Sequence, residues 1–320
     1  MNQTAAGYEQ LIERFVTWAQ TQRDIRAAIV LGSRARVDHP ADEWSDLDIL
    51  VIATDPERYM LRIDWLENVG NPWLTFLERT GTGDETERRV LFEGGLDVDF
   101  ALISKRKAQL LVHLLRIRKR FPRLLRLLPK AVRQTMQKVA GFSDMACRGI
   151  HVLLDKDGIA THLTTLVSAE TPSSHPPTQN EFLEVINDFL YHVVWTAKKL
   201  GRGELWTAKG CADSYMKWRC LLRMIEWHAR AKKGWDYDTW HGGRFLEEWA
   251  DPCALEQLRD AFAHYDKEDV QRALFATMEL FRWLAMETAE RLGYLYPTVA
   301  DERVTEWVRT CLSEKAGTDS

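Results

Sequence analysis

Two aspartates, Asp46 and Asp48, lie two residues apart at the start of an apolar run that continues to residue 52. Because side chains alternate across a strand, this spacing predicts a strand over 46–52 with both carboxylates on one face. Two like charges held this close repel each other, and a cation between them offsets that repulsion. Since Mg²⁺ commonly binds carboxylate and phosphate oxygens together, the pair predicts a magnesium site.

Gly32 and Ser33 directly follow another apolar run, residues 25–31, which predicts a buried strand that ends in a tight turn. Glycine lets a backbone approach a phosphate closely, and backbone amides and the Ser33 hydroxyl can donate to its oxygens. A polar loop then returns the chain to the aspartate strand. We therefore expect the Gly-Ser turn to lie beside Asp46 and Asp48.

A further carboxylate comes from a predicted β-hairpin, in which the runs 89–92 and 96–103 are joined by a Gly-Gly turn. Asp97 and Asp99 share one face of its second strand. If that strand lies beside the aspartate strand, Asp99 completes a cluster of three carboxylates, and Asp97 is the alternative. Metal ions offset the charge that develops during phosphoryl and nucleotidyl transfer, and a carboxylate can accept the proton of an attacking hydroxyl. The order of these motifs predicts nucleotidyl transfer.

The elements that must position these residues fall into two groups along the chain. Apolar strands and helical spacings mix over residues 1–170, and three prolines and two serines over the next segment predict a linker at 171–177. Helical spacing dominates residues 178–312, and the polar end, 313–320, predicts a flexible tail. We therefore predict an α+β fold, with a mixed sheet and helices in an N-terminal catalytic domain and an all-helical C-terminal bundle.

Within the first group, helical spacing predicts helices over 9–23 and 57–68, and a helical basic segment over 105–138. Residues 150–154 predict a further strand. The Asp155–Gly158 sequence that follows it is typical of a hairpin turn.

Composition and charge argue against some classes of protein and indicate a location. The chain of 320 residues has 43 Lys and Arg against 47 Asp and Glu, a formal net charge of −4, which argues against a nucleic-acid-binding protein or polymerase. No apolar run approaches the roughly 18 residues that a membrane span needs. Five scattered cysteines without C-x-x-C spacing and a polar N-terminus predict a cytoplasmic protein. The oligomeric state stays open.

The sequence resembles a known family in the segments just described. LGSRARVDHPADEWSDLDILV resembles the signature of polymerase-beta-like nucleotidyltransferases. LFEGGLDVDFALI, LLDKDG, NDFLYHVVWTAKKLGRGELWTAK and MKWRCLLRMIEWHA are similar to one branch, the aminoglycoside 6-adenylyltransferases, also called streptomycin adenylyltransferases. The resemblance implies two domains that enclose ATP and the drug. It also implies Mg²⁺-dependent adenylylation of a hydroxyl of an aminoglycoside such as streptomycin, which confers antibiotic resistance.

The resemblance also implies site residues. It makes Asp46 and Asp48 ligands of Mg²⁺, and it makes Asp99 the third ligand and the base that acts on the acceptor hydroxyl. The remaining residues would bind the nucleotide: Gly32 and Ser33 in the phosphate-gripping turn, Arg34 and Arg36 beside it, and Lys198, or the lysine after it, at the triphosphate. Arg36 stands where many members carry a glycine.

Four acidic residues of the helical domain are candidates for binding a small cationic acceptor: Glu181, Glu184, Asp188 and Glu204. An acidic surface would attract and orient a polycation. The alternatives are a nucleotidyltransferase of the same fold with a lincosamide or unknown acceptor, and a relative that has lost catalysis. The presence of all three carboxylates argues against the latter. The sequence does not identify the acceptor or the hydroxyl that is modified.

Overall fold

The computed structural model describes residues 3–36, 38–79, 86–121, 146, 148–167 and 175–313. The chain divides into two compact units, Met1–Pro172 and Ser173–Ser320. The predicted linker and tail lie largely outside the described residues, as does the basic segment beyond residue 121, so the domain boundaries stay predictions.

Six strands form one mixed sheet in the first unit: β1 (Ile25–Leu31), β2 (Leu47–Ala53), β3 (Pro72–Arg79), β4 (Thr86–Phe92), β5 (Leu96–Ser104) and β6 (His151–Asp155). Their order is β3-β4-β5-β2-β1-β6. Among the described strands, β2 and β5 pair in parallel, and every other neighbouring pair is antiparallel. The mixed sheet and the β4–β5 hairpin were both expected from the sequence, and both predictions are confirmed.

Helical segments of the first unit are α1 (Gln3–Thr21), a 3₁₀ turn (Gly32–Ala35), α2 (Pro56–Leu61), a 3₁₀ turn (Asp64–Asn68), α3 (Lys105–Arg120) and α4 (Ile159–Val167). The central strand β2 is buried on both faces. Ile49 and Val51 pack in a core with residues of α1, whereas Leu50 and Ile52 pack in a core with residues of α3 and α4. This two-sided burial explains why β2 reads as a continuous apolar run rather than an alternating one.

Two sequence predictions need correction, and one strand was missed. The helix expected over 57–68 is two shorter segments, because the backbone of Arg62 is extended and ends the first one. The carbonyl of Arg62 accepts a hydrogen bond from the Trp65 indole N–H at 3.0 Å. Strand β3 was not predicted; it is an edge strand whose side chains are mostly exposed, so it lacks an apolar pattern. The segment between Asp155 and Gly158 connects β6 to α4 and is therefore not a hairpin turn.

The second unit is helical, as predicted. Its segments are α5 (Gln179–Gly201), α6 (Leu205–Gly210), a π-helix (Cys211–Leu221), α7 (Leu222–Lys233), a 3₁₀ turn (His241–Gly243), α8 (Leu246–Trp249), α9 (Pro252–Leu258), α10 (Lys267–Leu292) and α11 (Thr298–Ser313). A capping box between Thr178 and Glu181 begins α5. Phe189 of α5 stacks on Phe281 of α10 at a centroid distance of 3.8 Å in the core. No helix among the described residues is long and apolar enough to cross a membrane.

Candidate active site

The parallel pairing of β2 and β5 brings two acidic positions side by side. Asp48 on β2 is the register partner of Asp99 on β5, and Leu31, the last residue of β1, is the partner of Asp48 on the other side. Neighbouring strands lie about 4.8 Å apart, so Asp48 lies next to the point where β1 ends, and Asp99 lies one strand further on. The Gly32–Ala35 turn begins there.

Asp46, Asp48 and Asp99 form a cluster in which one carboxylate oxygen from each lies within 4.8 Å of the others. It is the one group of three or more acidic, histidine or cysteine side chains with such spacing in the described part of the chain. Asp46 precedes β2 instead of lying within it, because the strand begins at Leu47. The strand predicted over 46–52 is thus shifted by one residue from β2, although the two carboxylates do converge.

The carboxyl group of Asp99 has a raised pKa. Burial raises the pKa of Asp99 to about 6, against a smaller opposing effect of Arg89. Glu87, Asp46 and Asp97 raise the pKa further by charge repulsion. The Arg89 Nη2 atom lies 3.4 Å from Asp99 Oδ2, and Arg89 also pairs with Glu78 and Glu87.

Sequence reasoning assigned no role to Arg89. The sequence feature that could have identified Arg89 is its position in the predicted β4–β5 hairpin, which makes Arg89 the register partner of Asp99.

Gly32 approaches Asp48 so closely that no side chain fits between them. A Cβ atom built on Gly32 would lie 2.0 Å from Asp48 Oδ2, and the residue has a φ of +68°, in the left-handed region. Glycine alone meets both conditions without strain. The backbone of the turn therefore lies directly against the carboxylate of the cluster.

The Ser33 hydroxyl has no bonding partner among the described residues, although its oxygen is buried. A buried hydroxyl without a partner costs free energy, which a hydrogen bond to a ligand, an ion or a water molecule would offset. The backbone N–H of Arg36 donates to the Ser33 carbonyl at 3.4 Å and closes the turn, and the Arg36 side chain is half-buried. Ser33 is thus available to a ligand at the turn.

Arg34 is turned toward the protein backbone. Its Nε atom donates to the carbonyl of Asp46 at 3.1 Å and its Nη2 atom to the carbonyl of Ser45 at 2.7 Å. Its guanidinium carbon lies 3.6 Å from the centre of the Tyr8 ring. The Arg34 side chain was predicted to bind a nucleotide, but two of its N–H groups instead hold the backbone just before β2.

Asp97, the alternative to Asp99, points to different partners. The Tyr8 hydroxyl donates to Asp97 Oδ1 at 2.8 Å, and the Asp97 backbone N–H donates to the same hydroxyl at 3.2 Å. Asp97 is exposed and is not part of the carboxylate cluster. Tyr8 was not considered from the sequence, where it is one aromatic residue of an amphipathic helix.

Lys198 belongs to the second unit, where it is exposed and its Nζ atom lies 5.5 Å from the centre of the Trp307 ring. The next lysine, Lys199, lies 2.6 Å from Glu204 Oε2, and Arg202 also pairs with Glu204. The negative charge of Glu204 is therefore already offset by Lys199 and Arg202.

The other three acidic candidates, on α5, line one cavity of about 550 Å³. Glu181 is committed to the capping box, and Asp188 accepts from the Tyr215 hydroxyl at 3.1 Å. Arg219, Arg223 and Trp227 also line this cavity. The cavity is therefore mixed in charge rather than purely acidic.

The residues around the cluster fit a divalent cation and a phosphate. Three carboxylates supply hard oxygen ligands of the kind that Mg²⁺ prefers, and positive charge between them would offset their mutual repulsion. The tight Gly32 turn and the buried Ser33 hydroxyl supply a surface on which a phosphate fits. This arrangement can hold a metal-bound phosphate ester next to a carboxylate base.

Comparison with known proteins gives a consistent result. Residues 7–311 match the streptomycin adenylyltransferase family. An aminoglycoside 6-adenylyltransferase of Bacillus subtilis is 24% identical over 305 residues, which are 93% of this chain and 95% of that protein. One from Campylobacter jejuni is 23% identical, covering 94% of each chain. A crystal structure of an aminoglycoside 6-adenyltransferase from B. subtilis covers 94% of this chain and 97% of its own, with 21% identity and a TM-score of 0.40.

Proposed function

Because this chain belongs to the streptomycin adenylyltransferase family and is a nucleotidyltransferase, we propose that it transfers adenylate from Mg²⁺-bound ATP to a hydroxyl of streptomycin. Adenylylation of aminoglycosides, which confers antibiotic resistance, is the activity of the family. The observation that carries the proposal is the convergence of Asp46, Asp48 and Asp99 beside the Gly32 turn.

Asp46, Asp48 and Asp99 are the residues that would hold the cation. When bound, Mg²⁺ would neutralise phosphate charge and the charge that develops in the transition state. The backbone of Gly32 and the hydroxyl of Ser33 would donate to phosphate oxygens, since that hydroxyl is buried and unpartnered among the described residues. Arg36 would add positive charge at the same turn.

Asp99 is the residue best suited to remove the proton of the acceptor. Without a cation, burial raises the pKa of Asp99 to about 6, which makes it more basic than an ordinary aspartate, and a bound cation would favour its ionised form at neutral pH. The acceptor oxygen attacks the α-phosphorus, its proton passes to Asp99, and the bond to the β-phosphate oxygen breaks to release pyrophosphate. A carboxylate has two oxygens, so Asp99 can contribute one to the cation and use the other as the base.

The helical unit would supply Lys198 to the triphosphate and carboxylates to the cationic acceptor. Of the four acidic candidates, Glu184 is the strongest for binding the cationic acceptor substrate, because Glu181, Asp188 and Glu204 already have hydrogen-bonding or ionic partners. We place the reaction in the cytoplasm, where ATP is available.

The test is release of pyrophosphate when the full chain is mixed with ATP, Mg²⁺ and streptomycin. We expect release that depends on all three and an adenylylated drug detectable by mass spectrometry. Asp48→Asn serves as the control for contaminating activity. Turnover with another aminoglycoside or with a lincosamide, but not with streptomycin, would change the acceptor and keep the chemistry. Failure to release pyrophosphate with every acceptor, despite tight ATP binding, would indicate a relative without catalysis.

A further inference from the structure

Asp46 lies where strand pairing no longer fixes the backbone. The described register of β2 with β5 begins at Leu47, and that with β1 ends at Asp48. Asp46 nevertheless contributes one of the three clustered carboxylates. Its position must therefore be fixed by something other than the sheet.

Arg34 supplies that constraint through two backbone carbonyls in a row. Its guanidinium donates from Nη2 to Ser45 at 2.7 Å and from Nε to Asp46 at 3.1 Å. Both bonds are charge-assisted, and the planar fork of arginine makes them in one fixed geometry. The peptide that carries the Asp46 side chain is thus held from the Gly32–Ala35 turn.

Tyr8 in turn holds Arg34. The guanidinium carbon lies over the aromatic ring, 3.6 Å from its centre, which is a close cation–π contact. Tyr8 is only 2% exposed, so the contact is shielded from water. One planar group therefore stacks on a ring and donates from its edge, which a lysine ammonium cannot do.

Asp97 fixes the far end of Tyr8. It accepts from the phenol hydroxyl and donates its backbone N–H back to the same oxygen. Burial, together with Asp97, raises the pKa of Tyr8 to about 12, so the phenol keeps its proton at physiological pH. The connected contacts run from Asp97 through Tyr8 and Arg34 to the peptide of Asp46.

We propose that Tyr8, Arg34 and Asp97 are positioning residues that hold Asp46 in place and thereby set the affinity of the carboxylate cluster for its divalent cation. The inference rests on the proposed function only in that the cluster binds a cation. It gives Asp97 and Arg34 roles other than metal ligand and nucleotide contact. Groups that orient metal ligands typically change metal affinity 10- to 100-fold when they are replaced, and effects of about this size are expected here.

The experiment measures binding of Mn²⁺ to the full-length chain by electron paramagnetic resonance of the free ion, without nucleotide or drug. Arg34→Lys keeps the charge but loses the fork, and we expect it to weaken Mn²⁺ binding about 10- to 100-fold. Tyr8→Phe keeps the stacked ring but loses the bonds to Asp97, and we expect a smaller loss. Arg26→Lys is the matched control, because Arg26 pairs with Asp157 away from the cluster and should leave Mn²⁺ affinity unchanged.

A double-mutant cycle with Asp46→Asn separates positioning from a direct contact. If Arg34 acts through Asp46, Arg34→Lys has little further effect once Asp46 is replaced. Unchanged Mn²⁺ affinity in Arg34→Lys would overturn the proposal, and so would equal losses in the two backgrounds. If Arg34→Lys melts before the measurement temperature, Tyr8→Phe carries the same cycle. Because the readout needs no turnover, failure to adenylylate a drug would refute the proposed function without affecting this result.

Discussion

Asp48 and Asp99 are register partners on two parallel strands, β2 and β5, that are separated in the chain by β3 and β4. Their side chains lie on one face beside the end of β1, where Asp46 joins them. A parallel pairing needs a long connection, so this meeting of two carboxylates follows from the topology of the whole sheet rather than from a local motif.

Replacing Asp48 with asparagine should abolish turnover and keep the fold. The amide carries no charge to offset that of a cation, and we expect a loss of roughly 1,000-fold, equivalent to about 4 kcal/mol of transition-state stabilisation. Pyrophosphate release measures it, and circular dichroism checks the fold. Asp64→Asn is the charge-matched control, since Asp64 is exposed and pairs with Arg62 away from the cluster. Near-normal turnover in Asp48→Asn would refute the metal assignment.

Gly32→Ala should inactivate the protein, whereas Gly95→Ala should not. Both glycines have positive φ, +68° and +74°, so each alanine incurs left-handed strain of about 1–2 kcal/mol. Only at Gly32 would the new methyl group overlap the Asp48 carboxylate; a Cβ at Gly95 has nothing within 4 Å. Urea unfolding and turnover, measured on both variants, distinguish strain from displacement of Asp48. Equal activities in the two variants would contradict the close approach of the turn.

The pH dependence of the metal-free protein should report the buried carboxyl group of Asp99. Its pKa is about 6 in the folded chain against an ordinary 3.8, so the folded state binds the proton more tightly. The resulting stability is fully present below pH 4 and is lost as pH rises through 6, by at most about 3 kcal/mol.

Asp99→Asn has no such titration, so the wild type should lose thermal stability relative to this variant between pH 4 and 6. Saturating Mg²⁺ should reverse the trend, because a cation favours the ionised carboxylate. Parallel melting curves across this pH range, for wild type and variant without metal, would contradict the assignment.

Asp301→Ala should destabilise the helical unit by about 3–5 kcal/mol, because it leaves Arg282 without its buried partner. Asp301 is 4% exposed and accepts from Arg282 Nη2 at 2.9 Å and from the Tyr296 hydroxyl at 2.8 Å. Burial alone would raise the pKa of Asp301, but the bonds from Arg282 and Tyr296 outweigh it and lower the pKa.

The stability that Asp301 contributes is therefore present above the ordinary aspartate pKa and is lost as pH falls below it. Chemical unfolding at pH 7 and pH 3 measures both effects. Asp64→Ala removes an exposed ion pair and should have little effect at either pH. A cost for Asp301→Ala no larger than that of Asp64→Ala would refute this account.

Lys198→Ala should raise the KM for ATP and leave the KM for the acceptor unchanged, if its exposed ammonium binds the triphosphate. Lys199→Ala is the matched control on the same helix, because Lys199 is already paired with Glu204. Steady-state kinetics with each substrate varied in turn provide the measurement. An equal increase in both variants would indicate a general charge effect, and no increase in either would remove Lys198 from the site.

Local sequence carried enough information for several features of the molecule. The two-residue spacing of Asp46 and Asp48, the Gly-Ser turn after an apolar run and the Gly-Gly hairpin are short-range patterns, whose backbone geometry is dictated by residues close in the chain. Helical spacing after residue 178 likewise predicted the helical unit, because a 3.6-residue period of apolar residues can be recognised without knowing what the helix packs against.

Tertiary structure alone decided the rest, for a physical reason that is the same in each case. Asp97 and Asp99 lie on the same strand face, and their roles are separated by two tertiary contacts: Asp99 pairs in register with Asp48, whereas Asp97 accepts from the Tyr8 hydroxyl. Arg34 was expected at a phosphate, but it binds the carbonyls of Ser45 and Asp46. Side-chain partners that are distant in sequence leave no periodic pattern in it. The sequence therefore determined which chemical groups are present, and the tertiary structure determined which partners each of them contacts.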